Sequence, residues 1–481
     1  MKRRYWWLVL ILLLAAGLRF FRLDARSLWF DEALSVLIGR LTLSQVLTGA
    51  AGSSHPPGYY LLLHVWQAAG MGGHDWLLRY PSVVASLLSV ALTYRVGRAL
   101  FDGRVGLLAA LGMALAPFQV YYAQEARMYA LATALALGAT WCFVRGVREP
   151  RSVVAWIGYA LLATLGLYTH YFVAWVLLSL HLWLLLVRRR SRNLWPRLLG
   201  ADFAIGSAFL LQIGRALREA GEFMGKEWRE FPSPLAPLTM PEYLIFGHAV
   251  PVYWWWGVRV TVVTVLLAFV ILEWARGHNR VWRRWAGLAL LVAVLPPFLV
   301  VVISWLLQPL YLARSFAMLA PFLVIFLAQG IAVAPSRRSP VPWVGLLLGV
   351  LMLLGMALSF TQPDVAKPAV RQAMSTVAED FQEGDLCLHL DETYPAALVY
   401  EPQTSPALLE VGQAPWLQPE VYRLLGGRVV SGGDLSGGGR LWLVVTDRSS
   451  QPWEEVMQEV GRERRLVDSW RWEFLTLYLY E

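Results

Sequence analysis

The chain has 481 residues, of which 57% are hydrophobic and 16% charged, with a formal net charge of +9. A soluble globular domain carries about 25% charged residues, so this balance and a mean hydropathy of +0.49 exclude an ordinary soluble enzyme and describe a polytopic membrane protein. Outside the membrane segments no Lys/Arg cluster is interleaved with base-stacking aromatics, which argues against nucleic-acid binding, and the two cysteines, Cys142 in an apolar helix and Cys387 in a predicted strand, argue against a disulfide or cysteine metal site.

Lys2, Arg3 and Arg4 precede a first apolar segment at 5–19. Its end at Ala15-Ala16-Gly17 has the shape of a secretory signal, but cleavage there would leave the next loop as a free N-terminus, so it is read as an uncleaved span. The following stretch carries two adjacent carboxylates, Asp31 and Glu32, flanked by Trp29, Phe30, Ala33 and Leu34. As a helix start it would use Ser27 as N-cap with acids in the first turn. As chemistry it offers a general base, because partial desolvation and a neighbouring acid raise a carboxyl pKa.

Further apolar segments lie at 79–98, 104–122, 127–144, 152–168, 171–187, 198–213, 257–275, 285–307, 312–332 and 342–360, which with the first predicts about eleven transmembrane helices. Segment 57–70 is short, begins at a Pro-Pro pair and contains His64 and Gln67. If it does not cross, the clusters Lys2–Arg4, Arg95–Arg104, Arg145–Arg151, Arg188–Arg197, Arg276–Arg284 and Arg337–Arg338 all fall on one side. That is a consistent positive-inside pattern, so 57–70 is read as an interfacial helix in the first outer loop. The N-terminus is then cytoplasmic. Loop 20–78, a turn near Gln124–Arg127, a turn near Tyr168–Tyr171, loop 214–256 and the tail face outward. Loop 214–256, with Lys226, Trp228, Phe231-Pro232-Ser233-Pro234 and Trp254–Trp256, reads as an acceptor contact or as an interfacial aromatic belt.

The tail changes character at Pro363, Lys367 and Pro368. A helical stretch at 369–382, strands at 386–390 and 440–446, an amphipathic helix at Pro452–Arg465 and a strand within Trp470–Tyr480 predict a small α/β domain. The Gly-rich run 431–439 reads as a connector, since no phosphate-binding helix start follows it. The expected domains are therefore a membrane domain at 1–361 and a soluble extracytoplasmic domain at 362–481.

Several ionisable groups fall on the outward side: Asp31 and Glu32, His55 before the Pro-Pro pair, Glu125 and Arg127, His170, and Arg314 at the start of a late span. Alone, each has a structural reading: satisfied histidines, a local Glu125–Arg127 pair, a snorkelling arginine. Together they suit transfer of a group from a lipid phosphate. Arginines bind phosphate bidentately, a carboxylate takes the acceptor's proton, and the departing phosphate needs charge stabilisation more than protonation. One base acting on the face opposite the leaving group predicts inversion at the anomeric carbon.

Residues 28–33 (Leu-Trp-Phe-Asp-Glu-Ala), 55–64 (His-Pro-Pro-Gly-Tyr-Tyr-Leu-Leu-Leu-His), 78–82 (Leu-Arg-Tyr-Pro-Ser), 97–101 (Gly-Arg-Ala-Leu-Phe) and 121–129 (Tyr-Tyr-Ala-Gln-Glu-Ala-Arg-Met-Tyr) resemble the GT-C type of polytopic glycosyltransferase. The resemblance is to the protein O-mannosyltransferase and aminoarabinose-transferase branch, glycosyltransferase family 39-like, and covers residues 1 to about 170. It implies a polyprenyl-phosphate-linked sugar donor and an extracytoplasmic acceptor, whether protein, lipid or glycan. By position it implies Asp31 as base and Glu32 and Glu125 as orienting acids, and a substrate-binding group of His55, Tyr59, Arg127, His170 and Arg314. No cofactor is implied. A divalent cation is the alternative, with Asp31, Glu125 and His55 as its ligands. Where relatives have Arg-Tyr near the end of the membrane part, this chain has Arg314-Ser315. The competing readings are a lipid or sugar transporter or flippase, against which the absence of inverted repeats counts, a lipid-A-like ligase or polymerase, and a non-catalytic assembly subunit of the same fold.

Overall fold

A computed structural model of the chain describes residues 2–52, 55–187, 194–223, 230–247, 256–276, 279–333, 341–361, 367–389, 392–404, 406–409, 419–430, 439–447, 453–472 and 474–481. Arg188–Arg190, Arg192, Lys226, Trp228, Trp254, Trp255, Arg337, Arg338, Pro363 and most of the Gly-rich run lie outside the described residues.

In chain order the helices of the N-terminal three quarters are α1 (Lys2–Phe20), α2 (Phe30–Arg40), α3 (Leu43–Thr48), α4 (Gly58–Ala68), α5 (Asp75–Leu100), α6 (Gly103–Leu115), α7 (Pro117–Ala123), α8 (Tyr129–Arg148), α9 (Val153–Thr169), α10 (Val173–Leu186), α11 (Leu194–Phe223), α12 (Ala236–Phe246), α13 (Trp256–Arg276), α14 (Arg280–Leu306), α15 (Ala320–Val333, preceded by a 3-10 turn at Ala313–Leu319) and α16 (Val341–Thr361). Each predicted apolar segment lies on one or two of these helices. Among the described residues six helices are long and apolar enough to cross a membrane, or seven if the α6–α7 pair, bent by 63°, is one span. α9, α10 and the Trp256–Leu272 part of α13 are shorter apolar helices. The tail contributes α17 (Val370–Asp380), β1 (Leu386–His389), α18 (Tyr394–Tyr400), β2 (Ala407–Leu409), α19 (Pro419–Leu424), β3 (Arg428–Val430), β4 (Leu441–Thr446), α20 (Trp453–Glu463), β5 (Leu466–Trp472) and β6 (Leu475–Tyr480).

The chain divides into two compact units, one of Met1–Phe21 with Arg79–Val365, the other of Arg22–Leu78 with Ala366–Glu481. The segment Arg22–Leu78 is therefore grouped with the tail rather than with the apolar helices.

In the first unit the break between α6 and α7 has a local cause. Pro117 takes the first position of α7, where its missing N–H is no loss. The last carbonyls of α6 need donors from elsewhere, and Arg19 of α1 supplies them. Its guanidinium donates to Met113 O (3.1 Å), Ala114 O (3.2 Å) and Ser86 Oγ (2.8 Å). A cation at the carboxyl end of a helix also complements the helix dipole. Behind the bend, α5 and α6 approach closely: a Cβ on Gly97 would lie 3.1 Å from Gly106 Cα, so neither position has room for a side chain. The segment 214–256, expected as a long loop, holds the end of α11 and all of α12, and Trp305 Nε1 donates to Pro232 O at 3.0 Å.

The second unit is built on a six-stranded sheet of order β3-β2-β1-β4-β6-β5, parallel through the first four strands and antiparallel at β6 and β5. Strand side chains alternate between faces. On one face Leu388, Ala407, Leu409, Leu441, Leu443 and Val445 meet Val456 and Val460 of α20. On the other, Leu408 meets Tyr394 and Leu398 of α18, Tyr422 and Leu425, and Leu37, Ile38, Val46 and Tyr60 of the Arg22–Leu78 segment. Parallel strands covered on both faces read as continuous apolar runs, which is why 440–446 was legible. The single strand expected within 470–480 is instead the hairpin β5–β6, with Phe474 at a φ of 58° beside the turn.

Candidate active site

In the first unit α7 runs into the turn Gln124-Glu125-Ala126-Arg127. Gln124 Nε2 donates to Arg19 O (3.1 Å) and Phe21 O (2.8 Å), fixing the turn to the end of α1. The Arg127 N–H donates to Glu125 O (2.8 Å) and Ser82 Oγ donates to Arg127 O (3.1 Å). Glu125 and Arg127 are only 1% and 3% exposed, so both charges are held at a cost that packing alone does not explain.

His170 sits at the turn between α9 and α10 and is 2% exposed. Its Nδ1 accepts the Phe172 N–H at 3.1 Å, which places the proton of the neutral ring on Nε2. Burial first, then the positive charges of Arg127 and Arg314, push its pKa down to about 3, so it is neutral at any working pH. Both arginines thus act on the same imidazole. The Arg127 guanidinium lies 5.8 Å from the Tyr129 ring, which is 5.7 Å from His170 and 4.6 Å from Tyr122. Tyr122 feels the charges of both Glu125 and Arg314, and Tyr243 from α12 stands close enough to act on it. Arg314 lies in the 3-10 turn Ala313–Leu319, at the start of the apolar span Ala313–Ala332, as expected.

Glu125, Arg127 and His170, all buried, and the half-buried Arg314, separated in sequence by up to 189 positions, therefore form one group framed by Tyr122, Tyr129 and Tyr243. One carboxylate, two guanidinium groups and a neutral imidazole leave it net positive, the sign a phosphate needs. Two residues that hold or frame it were not singled out from sequence: Arg19, whose contacts are to Ser86 Oγ and to the Met113 and Ala114 carbonyls, and Tyr243, which falls in a stretch without a motif. A charge inside the last turn of an apolar helix was the available signal for Arg19.

In the second unit Asp31 and Glu32 occupy the first turn of α2. The N-cap is Trp29, without a side-chain cap, not Ser27. The Ser27 hydroxyl is occupied elsewhere: it donates to Gln372 Oε1 (3.1 Å) and accepts from the Arg371 N–H (3.2 Å). Asp31 is half-buried, and its carbonyl accepts from Ser35 Oγ at 2.8 Å. Glu32 is fully buried and takes Lys367 Nζ at 2.6 Å. The adjacent acids therefore do not confront each other as two uncompensated charges. Tyr59 is buried in the first turn of α4, and His55 is half-buried ahead of it. α4 has 11 residues, a length of about 16 Å, against the roughly 30 Å of a bilayer core. It packs on α2 at Gly39, where a Cβ would meet Leu63 Cβ at 3.0 Å.

Among the described residues no group of three or more His, Cys, Asp or Glu is placed to hold a metal ion, so the divalent-cation alternative finds no support.

Residues 54–209 match the family model described as dolichyl-phosphate-mannose-protein mannosyltransferase. No curated protein sequence matches the chain. Among solved structures the chain is similar to ArnT from Cupriavidus metallidurans in the apo state, with a TM-score of 0.67 at 15% identity over 98% of this chain and 97% of that one. It is similar to the same protein bound to undecaprenyl phosphate, with a TM-score of 0.66 at 14% identity over 98% of each chain. It is also similar to the arabinofuranosyltransferase AftD from Mycobacteria, with a TM-score of 0.52 at 16% identity, over 98% of this chain and 41% of that one. At these identities the likeness is one of fold.

Proposed function

We propose that this chain, a membrane glycosyltransferase of the GT-C fold, moves a sugar from a polyprenyl-phosphate-linked donor to an acceptor on the outer face of the membrane. The observation that carries the reading is the net-positive group of the buried Glu125, Arg127 and His170 with the half-buried Arg314. Two guanidinium groups beside a neutral imidazole suit a lipid phosphate, and one of the similar structures, ArnT, holds undecaprenyl phosphate. In this reading Arg127 and Arg314 bind the phosphate and stabilise the charge it gains as it departs. His170 supplies its Nε2–H as a neutral donor, and Glu125 orients the arginines.

Asp31 is the proposed base. Its carboxylate takes the proton of the acceptor hydroxyl or amine as the acceptor atom bonds to the anomeric carbon. The bond from that carbon to the phosphate oxygen breaks, its electron pair leaves with the phosphate, and polyprenyl phosphate is released. Attack opposite the leaving group inverts the anomeric centre. His55 and Tyr59 are proposed for substrate contact on the motif match at 55–64, and Glu32 for orientation of the acidic turn. The positive-inside pattern supports a cytoplasmic N-terminus and an extracytoplasmic second unit.

Mass spectrometry of envelope glycans from cells with and without the protein tests this. A sugar substituent lost on deletion and restored by wild type, but not by Asp31→Asn, is the expected result. An unchanged glycan profile, with labelled sugar lipid instead crossing sealed vesicles, would replace transfer by transport.

A further inference from the structure

The first turn of α2 is held from far along the chain. α2 has no side-chain N-cap of its own. Instead, four residues of the tail grip the segment leading into it. Lys367 Nζ reaches Glu32 Oε2 at 2.6 Å and stands 5.9 Å from the Trp29 ring centre. Arg371 donates to Asp24 Oδ1 (3.2 Å), Asp24 O (2.8 Å) and Asp75 Oδ2 (3.1 Å). Gln372 takes the Ser27 hydroxyl. Tyr400 donates to Asp75 Oδ2 at 2.7 Å and accepts the Leu28 N–H at 2.6 Å. All of these residues belong to the second unit.

Of these contacts only that of Lys367 falls within the turn that carries Asp31. The side chains of the pair are 6% and 0% exposed. A buried carboxylate without its cation must protonate or move toward water, and either response turns the helix start that it shares with its neighbour. We propose that Lys367 is a positioning residue for transfer: through its ion pair with Glu32 it fixes the first turn of α2 and so aims the carboxylate of Asp31. The tail thereby acquires a role in the reaction although it brings no reacting group. This rests on the reading of Asp31 as base.

The test uses full-length variants in a strain lacking the chain. Glycan product is measured by mass spectrometry and normalised to folded protein from size-exclusion chromatography. Lys367→Met is expected to lower product by about tenfold to a hundredfold, the scale of a misplaced reacting group. Lys367→Arg, which keeps the charge, returns it to within about threefold of wild type. Glu32→Gln falls as far as Lys367→Met, and the double variant falls no further than either single one, because the two residues act as one unit. Product within about twofold of wild type in folded Lys367→Met, or losses that add in the double variant, overturns the proposal. So does Lys367→Arg doing no better than Lys367→Met. If Lys367→Met does not accumulate as folded protein, the double variant, which removes both charges together, decides in its place. Product surviving in Asp31→Asn is the separate outcome that defeats the reading of the base, whatever Lys367 does.

Discussion

Arg19 Nη2 donates to the carbonyl oxygen of Met113 at 3.1 Å across 94 positions of sequence. The contact ends one helix and lets the next leave at 63°, and so sets where the turn 124–127 begins. Replacing Arg19 by Met removes donors from buried carbonyls and is expected to cost about 2–4 kcal/mol. Lys, a point charge without a fork, should restore part of it. Thermal unfolding of the purified protein in detergent measures both. Equal midpoints for Arg19→Met and wild type would show that the bend stands without this contact.

Asp31→Asn keeps the shape of the side chain and removes its basicity. Transfer per folded molecule should fall by about 10²–10⁴-fold, the range for a lost general base, with little change in the unfolding midpoint because Asp31 is only half-buried.

Arg127→Ala and Arg314→Ala should each weaken undecaprenyl phosphate binding by about tenfold to a hundredfold, the worth of a charge-assisted contact. Arg127→Lys should fall between, since a compact ammonium cannot form the two-pronged contact. Titration of the purified protein with that lipid, followed by native mass spectrometry, reads the affinities. Unaltered binding in both alanine variants would take the phosphate away from this group.

The second unit should lose stability in acid in two steps. His389 is buried between Thr393 Oγ1 at 3.0 Å and Cys387 Sγ at 3.4 Å, and burial pushes its pKa from 6.5 down to about 3. The unfolded imidazole binds a proton that the native one refuses, so stability is level above 6.5 and falls as the pH drops toward 3. Asp385 adds the second step. Burial alone would raise its carboxyl, but hydrogen bonds from Arg440, the Gln382 N–H and the Trp442 indole hold it below 3.8. Its contribution is present above that value and disappears as the pH falls through the native one. Hydrogen exchange of β1 and β4 peptides in the whole protein, corrected for intrinsic rates, should show the first step. His389→Gln should remove that step and leave the second.

What was legible in the sequence was local. Every predicted apolar segment lies on a helix because hydropathy is carried by the segment itself, and Glu125, Arg127 and His170 stand at turns because the spans around them end there. The 3-10 turn at Arg314 and the break at Pro117 were not separable from their apolar surroundings by composition. Ser27 was a sound N-cap candidate by residue type. Its oxygen instead serves the Arg371 N–H, 344 residues away, and no reading of neighbours finds that. β2, β3, α18 and α19 are three to seven residues long, too brief for a periodicity to register. The grouping of the acidic loop with the tail is non-local throughout: Glu32 and Lys367 are 335 positions apart.

That separation bears on how the molecule is made. Leu37, Ile38, Val46 and Tyr60 leave the ribosome early, while Tyr394, Leu398, Leu408 and Tyr422, which complete the same apolar layer, are synthesised only after every long apolar helix. Until then the early half has nothing to close against, so a nascent or prematurely terminated chain inserts its helices but leaves the acidic turn unassembled. The partners of the acidic turn thus emerge more than 300 positions after it, since Glu32 and Lys367 are 335 positions apart.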